Sequence, residues 1–374
     1  MLRVIIVNSV VFWGVLLARE FPVISLADTL KKRPDIQYQV CIDPYRVQFE
    51  PFPFSDWSEF QPSNPLFQPT YIVRILQGQV YSAKGFIAVN NLVIEDFLWS
   101  NISIPEQMRR FSARDLKNPK KIDGTVAVIT QGGWNCYYHW LTEVLGRLIL
   151  LEDTGVEYDW LYVTDHFPFM KDLLSLWGVD EKKIIQPFSK NKYIQADELI
   201  VPSLVATMSP KIARPLASYV QPWIVERIRQ KLLPFAAQDY DPKVSAKKIF
   251  ISRKDAHARR VLNEDEVFGL FEPLGFKRYD LSSFSVQQQM QLFYGADIIV
   301  ASHGAGLANL LFARPGTRVI EFFQARGDAT YWYLSQMLGM KHACIKTSEL
   351  LQVGCMKNTV VPLESFDEIL HELS

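Results

Sequence analysis

The sequence lacks a net charge. Among its 374 residues, 40 lysines and arginines are balanced by 40 aspartates and glutamates. A chain without an overall electric field is not drawn to nucleic-acid phosphates or to an anionic membrane surface. The composition therefore predicts no nucleic-acid partner. With 48% hydrophobic residues it is typical of a globular protein.

Cysteine is scarce, and its spacing matches no metal or redox motif. The four cysteines, Cys41, Cys136, Cys344 and Cys355, form no CxxC pair and no zinc-ligand pattern. We interpret them as free thiols in a reducing compartment, which predicts a cytoplasmic protein.

The N-terminal apolar run is short for a membrane span. Val4 to Ala18 has fifteen residues, whereas a spanning helix needs about 20. Leu17-Ala-Arg-Glu20 is a poor cleavage site for a signal peptide. Residues 4–18 are therefore predicted to form a buried element or a surface membrane anchor. In the second case the partners include a membrane, contacted peripherally.

From Gly124 onward, short apolar runs alternate with helical patterns, which is typical of βαβ units around a parallel sheet. A Pro-rich stretch, Ser203 to Lys243, interrupts the alternation. We predict an α/β fold of two successive domains with the ligand cleft between them. The predicted units are an apolar segment (1–20), an N-terminal α/β domain (21–235) with a β-meander (71–99), a linker (236–246), a C-terminal α/β domain (247–350) and a tail helix (351–374). Within 71–99, the turn signals Gln77-Gly78 and Asn90-Asn91 separate short alternating runs, which predicts a β-meander or a hairpin pair.

A turn with two glycines joins two apolar runs near the end of the second domain. Asp297 to Ala301 is β-branched and predicts a buried strand, and Leu307 to Phe312 predicts a helix. Between them, His303-Gly-Ala-Gly306 permits close approach to the backbone, and the first amides of a helix lack intrahelical partners. The turn is a candidate phosphate site, or else a tight turn that binds nothing.

Two further polar residues are predicted at the same edge of the sheet. Arg253 follows the strand Lys248–Ser252, and Glu321 ends the strand Thr317–Glu321. The ends of parallel strands meet at one rim. An Arg fork can bind phosphate, and a carboxylate can accept hydrogen bonds from ribose. The three strand ends predict a site for a nucleoside diphosphate.

Three other nucleotide motifs fit poorly. A nicotinamide dinucleotide site would need a third glycine where Asn309 stands, and no GxxxxGK[ST] is present for a P-loop. Asp239-Tyr-Asp241 has the letters of a metal-binding Asp-x-Asp motif. It follows a predicted helix and precedes Pro242, so we interpret it as a chance match.

Taken together in this order, five segments resemble glycosyltransferase family 61, and the resemblance covers about residues 77–323. They are Asn135-Cys-Tyr-Tyr-His-Trp-Leu-Thr-Glu143, Ile249-Phe-Ile-Ser-Arg-Lys-Asp-Ala-His-Ala-Arg-Arg-Val-Leu-Asn-Glu264, Phe284-Ser-Val-Gln-Gln-Gln289, His303-Gly-Ala-Gly-Leu-Ala-Asn309 and Val319-Ile-Glu321.

The resemblance implies a GT-B fold, in which two Rossmann-type α/β domains face a central cleft. The C-terminal domain is then expected to bind a nucleotide-sugar donor, a UDP-sugar, and the N-terminal domain to face the acceptor. Inverting transfer to a hydroxyl of a glycan or glycoconjugate is expected. No obligatory metal or cofactor besides the donor is implied.

On the donor side, Arg253 and Arg260 are expected to neutralise the diphosphate, because a leaving group without a metal needs fixed cations. The alternative for both is a solvated basic cluster. Glu321 is expected to bind the ribose, or else to form a structural ion pair.

The glycine turn supplies the remaining donor contacts. His303 is expected to donate to a phosphate or to cap the strand end, and the backbone of Gly304, Ala305 and Gly306 is expected to face the phosphate oxygens. Asn309 either fixes the turn or contacts the nucleotide.

On the acceptor side, His139 and Glu143 are four residues apart and share one face of the helix predicted over Tyr137 to Glu152. Either could take the proton from the attacking hydroxyl. Alternatively, His139 packs beside Trp140 and pairs with Glu143 in the core. They are not expected to bind a metal, because a third protein ligand is missing.

Two other classes of function remain open. One is an oxidoreductase that uses a nicotinamide dinucleotide, and the other is a sugar- or nucleotide-binding protein without catalysis.

Overall fold

The computed structural model describes residues 23–53, 63–99, 118–208, 218–238, 246–256, 260–323, 329–346, 358 and 360–373. The strands are β1 (Val23–Ile24), β2 (Gln37–Ile42), β3 (Tyr45–Arg46), β4 (Leu66–Phe67), β5 (Thr70–Leu76), β6 (Gln79–Tyr81), β7 (Phe86–Val89), β8 (Leu92–Ile94), β9 (Lys120–Val128), β10 (Trp160–Tyr162), β11 (Ile184–Ile185), β12 (Tyr193–Pro202), β13 (Thr207–Met208), β14 (Ser218–Tyr219), β15 (Lys248–Ile251), β16 (Lys277–Tyr279), β17 (Ile298–Ser302), β18 (Arg318–Phe323) and β19 (Lys341–Lys346).

Most of the helices connect parallel strands of the two sheets described below. They are α1 (Leu26–Lys32), α2 (Tyr137–His139), a π-helical turn (Trp140–Val144), α3 (Leu145–Asp153), α4 (Pro168–Trp177), α5 (Pro222–Ala237), α6 (Glu264–Phe271), α7 (Val286–Gly295), α8 (Thr330–Met337) and α9 (Asp367–Leu373).

Ten strands form the first sheet. Strands β12, β9, β10 and β11 are neighbours in this order and are parallel, as the βαβ pattern predicts. Strands β5 and β6 extend the sheet antiparallel to β12, and β7, β8, β2 and β1 complete it. The predicted meander is therefore an extension of the α/β sheet.

The backbone turns locally at Gln77-Gly78, where Gln77 has a φ of 55° and the Gly78 N–H donates to the Ile75 carbonyl at 3.1 Å, but this turn closes no hairpin. Strands β5 and β6 both run antiparallel to β12, so the chain continues in one direction through these two residues. Gly78 is needed for close packing, because a Cβ there would lie 2.6 Å from Leu199 Cβ. The second predicted turn is confirmed: Asn90 and Asn91 have φ of 51° and 62° between β7 and β8, as a tight hairpin turn requires.

The second sheet has five parallel strands in the order β16, β15, β17, β18, β19. Helix α7 between β16 and β17 begins at a capping box, in which Ser285 and Gln288 satisfy each other's backbone amides. In the first sheet, α4 begins at Pro168 and ends at Gly178, whose φ of 88° closes the helix. Both sheets thus have the α/β pattern that the sequence predicts.

The largest hydrophobic core runs through helices packed on both sheets. It includes Leu148 and Ile224 beside the first sheet and Met290, Leu307 and Leu310 beside the second, all at most 1% exposed. Helix α5 extends to Ala237, so it covers the first residues of the predicted linker 236–246. The remaining predicted domain boundaries stay predictions.

Two predictions concern residues outside the described ranges. They are the apolar segment 4–18 and the chance match Asp239-Tyr-Asp241. Within the described ranges, no helix combines the length and apolarity needed to span a bilayer. The cytoplasmic location stays a prediction. In the described part of the chain, Cys41, Cys136 and Cys344 form no disulfide.

Candidate functional site

The glycine turn follows the end of β17 as predicted, but the helix after it is a 3-10 helix over Ala305–Phe312. All residues from Leu307 to Phe312 are buried, so packing rather than an amphipathic 3.6-residue period sets the winding. The first intrahelical bond runs from the Leu307 N–H to the Gly304 carbonyl at 3.0 Å. The N–H groups of Ala305 and Gly306 precede this ladder and can face a ligand.

Arg253 lies directly on this turn. A Cβ built at Gly304 would be 1.8 Å from Arg253 Nη1 and 2.8 Å from its Cζ. Gly304 has an extended φ of 168°, which any residue adopts, so a Cβ at this position would displace the guanidinium rather than strain the backbone. The strand ends of β15 and β17 therefore converge as the sequence predicts.

A buried carboxylate fixes the backbone at Arg253. Glu264, 2% exposed at the start of α6, accepts from Ser252 Oγ at 2.6 Å and from the Arg253 N–H at 2.7 Å. Charge-assisted bonds of this kind hold geometry well. The sequence analysis missed Glu264, although its acidic position in the first turn of a helix was visible.

Glu321 holds the His303 ring in place. Its Nδ1 lies 2.6 Å from Glu321 Oε1, and the other oxygen of Glu321 lies 3.1 Å from His342 Nε2. Burial raises the pKa of Glu321, but the charge and hydrogen bond of His303, followed by those of His342, outweigh it and leave the pKa below its usual value. The His303 ring stacks on Phe323 with centroids 5.2 Å apart.

The geometry supports the ion-pair alternative for Glu321 over the ribose contact. Strand β18 continues to Phe323, and Glu321 pairs with Ala301 in the register, one residue before the end of β17. Its side chain is 0% exposed and faces two histidines. The prediction placed the strand end two residues too early. His342 lies on β19, which the sequence analysis did not assign.

Asn309 fixes the turn. Its Oδ1 accepts from the Tyr137 hydroxyl at 2.8 Å, and its Nδ2 donates to Gln289 Oε1 at 3.0 Å and to the Gly306 carbonyl at 3.1 Å. Burial raises the pKa of Tyr137, so its hydroxyl stays a donor. Asn309 is 0% exposed, and these bonds connect the glycine turn with α2 and α7.

The side chain of Arg260 is exposed, and its backbone N–H donates to Asn358 Oδ1 at 3.0 Å. Within the described residues, no hydrogen bond or ion pair joins its side chain to the glycine turn. The geometry places Arg253 at the turn, and the role of Arg260 stays a prediction.

His139 and Glu143 form a pair at the other α/β unit. His139 Nδ1 lies 2.6 Å from Glu143 Oε1, and Glu143 Oε2 accepts from Trp99 Nε1 at 3.2 Å and from Gln131 Nε2. The Glu143 side chain is 2% exposed, whereas that of His139 is 17% exposed. The carboxylate therefore orients the imidazole, and only the imidazole can meet a substrate.

Glu143 lies on the π-helical turn Trp140–Val144, and His139 directly precedes this turn. Such turns insert one extra residue into a helix and are frequent at functional sites. Sequence spacing predicted the contact between His139 and Glu143 but not this distortion.

Two tyrosines connect the two His–Glu pairs. Tyr138 contacts His139 with ring centroids 5.3 Å apart and Tyr331 at 5.6 Å, and Tyr331 contacts His303 at 5.3 Å. A continuous region of packed rings therefore joins His139 on the predicted acceptor side to His303 on the predicted donor side.

Among the described residues, one group could hold a metal ion. Glu321, His342 and Cys344 present oxygen, nitrogen and sulfur atoms that all lie within 4.8 Å of one another, a donor set suited to zinc. Burial, followed by the charge of Glu321, raises the pKa of Cys344 well above its usual value, which disfavours the thiolate that a metal requires.

Comparison with known proteins gives one family match. The family model described as Glycosyltransferase 61 matches residues 137–320. These residues include every sequence-predicted site residue except Glu321, which follows directly.

The chain is also similar to proteins named EGF domain-specific O-linked N-acetylglucosamine transferase. The Drosophila melanogaster protein is 26% identical over 115 residues, 29% of this chain and 22% of that protein. The Mus musculus protein is 23% identical over 106 residues, 27% of this chain and 20% of that protein. The chain thus covers about a fifth of the length of these relatives.

Proposed function

Through residues 137–320 the chain belongs to glycosyltransferase family 61, and from this premise we propose that it transfers a sugar from a UDP-sugar to a hydroxyl of a glycan or glycoconjugate. The observation that carries the donor half of this proposal is the Arg253 guanidinium resting on Gly304. It puts a cation beside the amides that begin the 3-10 helix. Cations and backbone dipoles at one point stabilise the charge of a leaving diphosphate.

The two α/β units suit a GT-B arrangement with the donor on the second sheet. The strand ends of β15 and β17 then face the cleft, where ligands of open α/β sheets bind. The continuous region from His139 to His303 supports this arrangement, because it brings acceptor-side and donor-side residues together.

Donor binding without an obligatory metal or other cofactor is part of the proposal. Arg253 supplies a permanent positive charge, and His303 donates to a phosphate oxygen when its ring is oriented by Glu321. Fixed groups of this kind neutralise the negative charge of a diphosphate, as a divalent cation does in metal-dependent transferases.

For the reaction we propose a single displacement with inversion. The acceptor oxygen attacks the anomeric carbon as the bond from that carbon to the diphosphate oxygen breaks, and UDP leaves with the bonding electrons. The acceptor proton passes to His139 Nε2, since Nδ1 is engaged by Glu143. Glu143 stabilises the resulting imidazolium, as a buried carboxylate does for a general base.

A thermal-shift titration tests the donor site. We expect UDP to stabilise the protein equally with Mg²⁺ and with a chelator present. Arg253→Ala should weaken UDP binding about 10- to 100-fold, because charge-assisted bonds to phosphate contribute about 1.5–3 kcal/mol. The matched control is Arg314→Ala, which removes an exposed arginine paired with Asp297 before β18.

The outcome distinguishes the alternatives. Stabilisation by a reduced nicotinamide dinucleotide but not by UDP would reject the transferase, and a strict need for a divalent ion would reject the metal-free site. The relatives' names make N-acetylglucosamine the first sugar to test in a donor screen. UDP binding without transfer or donor hydrolysis would indicate a binding protein without catalysis.

A further inference from the structure

An exposed group of aromatic rings lies next to the His139–Glu143 pair. This aromatic platform consists of Trp134, His166, Phe167, Phe169 and Phe188. Trp134 and Phe167 stack with centroids 6.1 Å apart and planes at 22°, and Phe167 and Phe169 stack at 6.0 Å and 10°. Trp134 and His166 also meet Phe188, at 5.7 and 5.4 Å.

The topology of the first sheet assembles this platform. Its rings come from the segments that follow β9, β10 and β11, which are adjacent parallel strands. They therefore share the carboxyl rim, where α/β sheets bind their ligands. The platform is a feature of the ligand edge of the sheet.

The platform is incompletely covered by protein. Phe167 is 36% exposed and His166 is exposed, whereas Trp134, Phe169 and Phe188 are half-buried. Contiguous exposed aromatic surface is unfavourable in water and marks binding sites. Its flat, parallel rings offer faces rather than a groove.

Two buried oxygen atoms at the same rim lack partners. In the part of the chain that the structure describes, neither Asp165 Oδ1 nor Gln131 Oε1 has a hydrogen-bond partner. The two residues are 8% and 1% exposed. Leaving a buried acceptor unsatisfied costs about 1–3 kcal/mol, so these atoms indicate a donor-rich ligand.

Both residues belong to the segments that carry the platform. Asp165 precedes His166, and its Oδ2 accepts from Gln186 at 2.9 Å. Gln131 accepts at its carbonyl from the Trp134 N–H at 3.3 Å and donates from its side chain to Glu143. Gln131 thus connects the platform directly to the carboxylate that orients His139.

We propose that the aromatic platform binds a pyranose ring of the acceptor, an inference that rests on the proposed transferase function. The C–H face of a pyranose carries partial positive charge that suits the negative face of an aromatic ring. Its hydroxyl groups supply donors for Asp165 and Gln131. A neighbouring hydroxyl of the same glycan then reaches His139.

Saturation-transfer NMR with methyl glycosides of glucose, galactose, N-acetylglucosamine and xylose tests this site. At least one glycoside is expected to bind wild type through the C–H protons of one ring face. Phe167→Ala should weaken that binding about fivefold or more. Phe167→Leu keeps apolar bulk for folding and should show the same loss, because it removes the stacking face.

Trp160→Ala is the matched control, because Trp160 is also 36% exposed but begins β10 at the opposite edge of the sheet. It should bind as wild type. Absence of glycoside binding to wild type, or binding as tight as that of wild type by both Phe167 variants, overturns the proposal. Binding of a folded protein domain to this surface, without binding of any glycoside, also overturns the proposal.

UDP shifts measured on the same samples separate this inference from the function it rests on. A UDP shift without glycoside binding overturns the platform alone. Glycoside binding without a UDP shift keeps the sugar site and overturns the transferase.

Discussion

Replacing Glu321 by glutamine tests whether the buried carboxylate holds the donor-side histidine in place. Glu321 is 0% exposed and contacts His303 at 2.6 Å and His342 at 3.1 Å. Removing one partner of a buried ion pair costs about 3–5 kcal/mol, because the remaining charge is left uncompensated. At about 1.3 °C per kcal/mol for a chain of this size, Glu321→Gln should lower Tm by about 4–6 °C.

Differential scanning calorimetry near neutral pH measures this loss. Glu372→Gln is the matched control, since Glu372 is 61% exposed and pairs with Arg318 at the surface. An exposed pair contributes about 0–1 kcal/mol, so the control should shift Tm by about 1.3 °C at most. A Glu321→Gln protein as stable as wild type would show that the carboxylate is not an essential partner of the two histidines.

The low pKa of Glu321 predicts that the loss of stability in Glu321→Gln depends on pH. The pKa of Glu321 in the folded protein lies below its usual value of 4.5, mainly because the charge and hydrogen bond of His303 outweigh burial. A carboxyl with a depressed pKa stabilises the fold at pH values above its unfolded pKa, and loses this contribution as pH falls through the folded pKa. The Tm difference between wild type and Glu321→Gln should therefore shrink as pH falls below about 4.5.

Two further substitutions test the two halves of the site. Gly304→Ala puts a Cβ 1.8 Å from Arg253 Nη1, so it should displace the guanidinium and weaken UDP binding about as much as Arg253→Ala. Gly269→Ala is the calorimetric control, because a Cβ at Gly269 would have no atom within 4 Å. Unchanged UDP binding by Gly304→Ala would contradict the close contact. His139→Ala should lower kcat about 100-fold or more with little change in the donor KM, and a steady-state assay that finds wild-type kcat removes His139 as the base.

The parallel strand ends could be predicted from the sequence because their signals are local. Apolar β-branched runs followed by polar residues predicted β15 and β17, and parallel pairing then required Arg253 and His303 to share a rim. In the structure, the Arg253 guanidinium lies against Gly304, the residue that follows His303. Topology alone was enough for this part of the site.

The roles of Glu321 and Asn309 depend on contacts that no local pattern encodes. Glu321 sits below the rim because β18 continues to Phe323, and its partner His342 lies on a strand that the sequence analysis did not assign. Asn309 is saturated by Tyr137, which is 172 residues away in sequence. Periodicity identifies which side chains are buried, but not which distant groups they meet.

Gln77-Gly78 shows the same limit in the fold. A glycine between two short strands normally predicts a turn, but both strands pair with β12 in one direction. The glycine is there because Leu199 on β12 approaches its backbone. A local signal for backbone freedom was in fact a requirement for close packing.

The His139–Glu143 and His303–Glu321 pairs share one geometry. In each pair the Nδ1 of histidine lies 2.6 Å from a buried glutamate, and the imidazole is the more exposed partner, at 17% and 11%. A buried carboxylate fixes the ring orientation and favours a proton on Nδ1. The proposed reaction needs a proton acceptor beside the acceptor hydroxyl and a donor beside the diphosphate. Because Tyr138 and Tyr331 pack in series between the two histidine rings, the proposed reaction requires one sugar to reach from one histidine to the other during transfer.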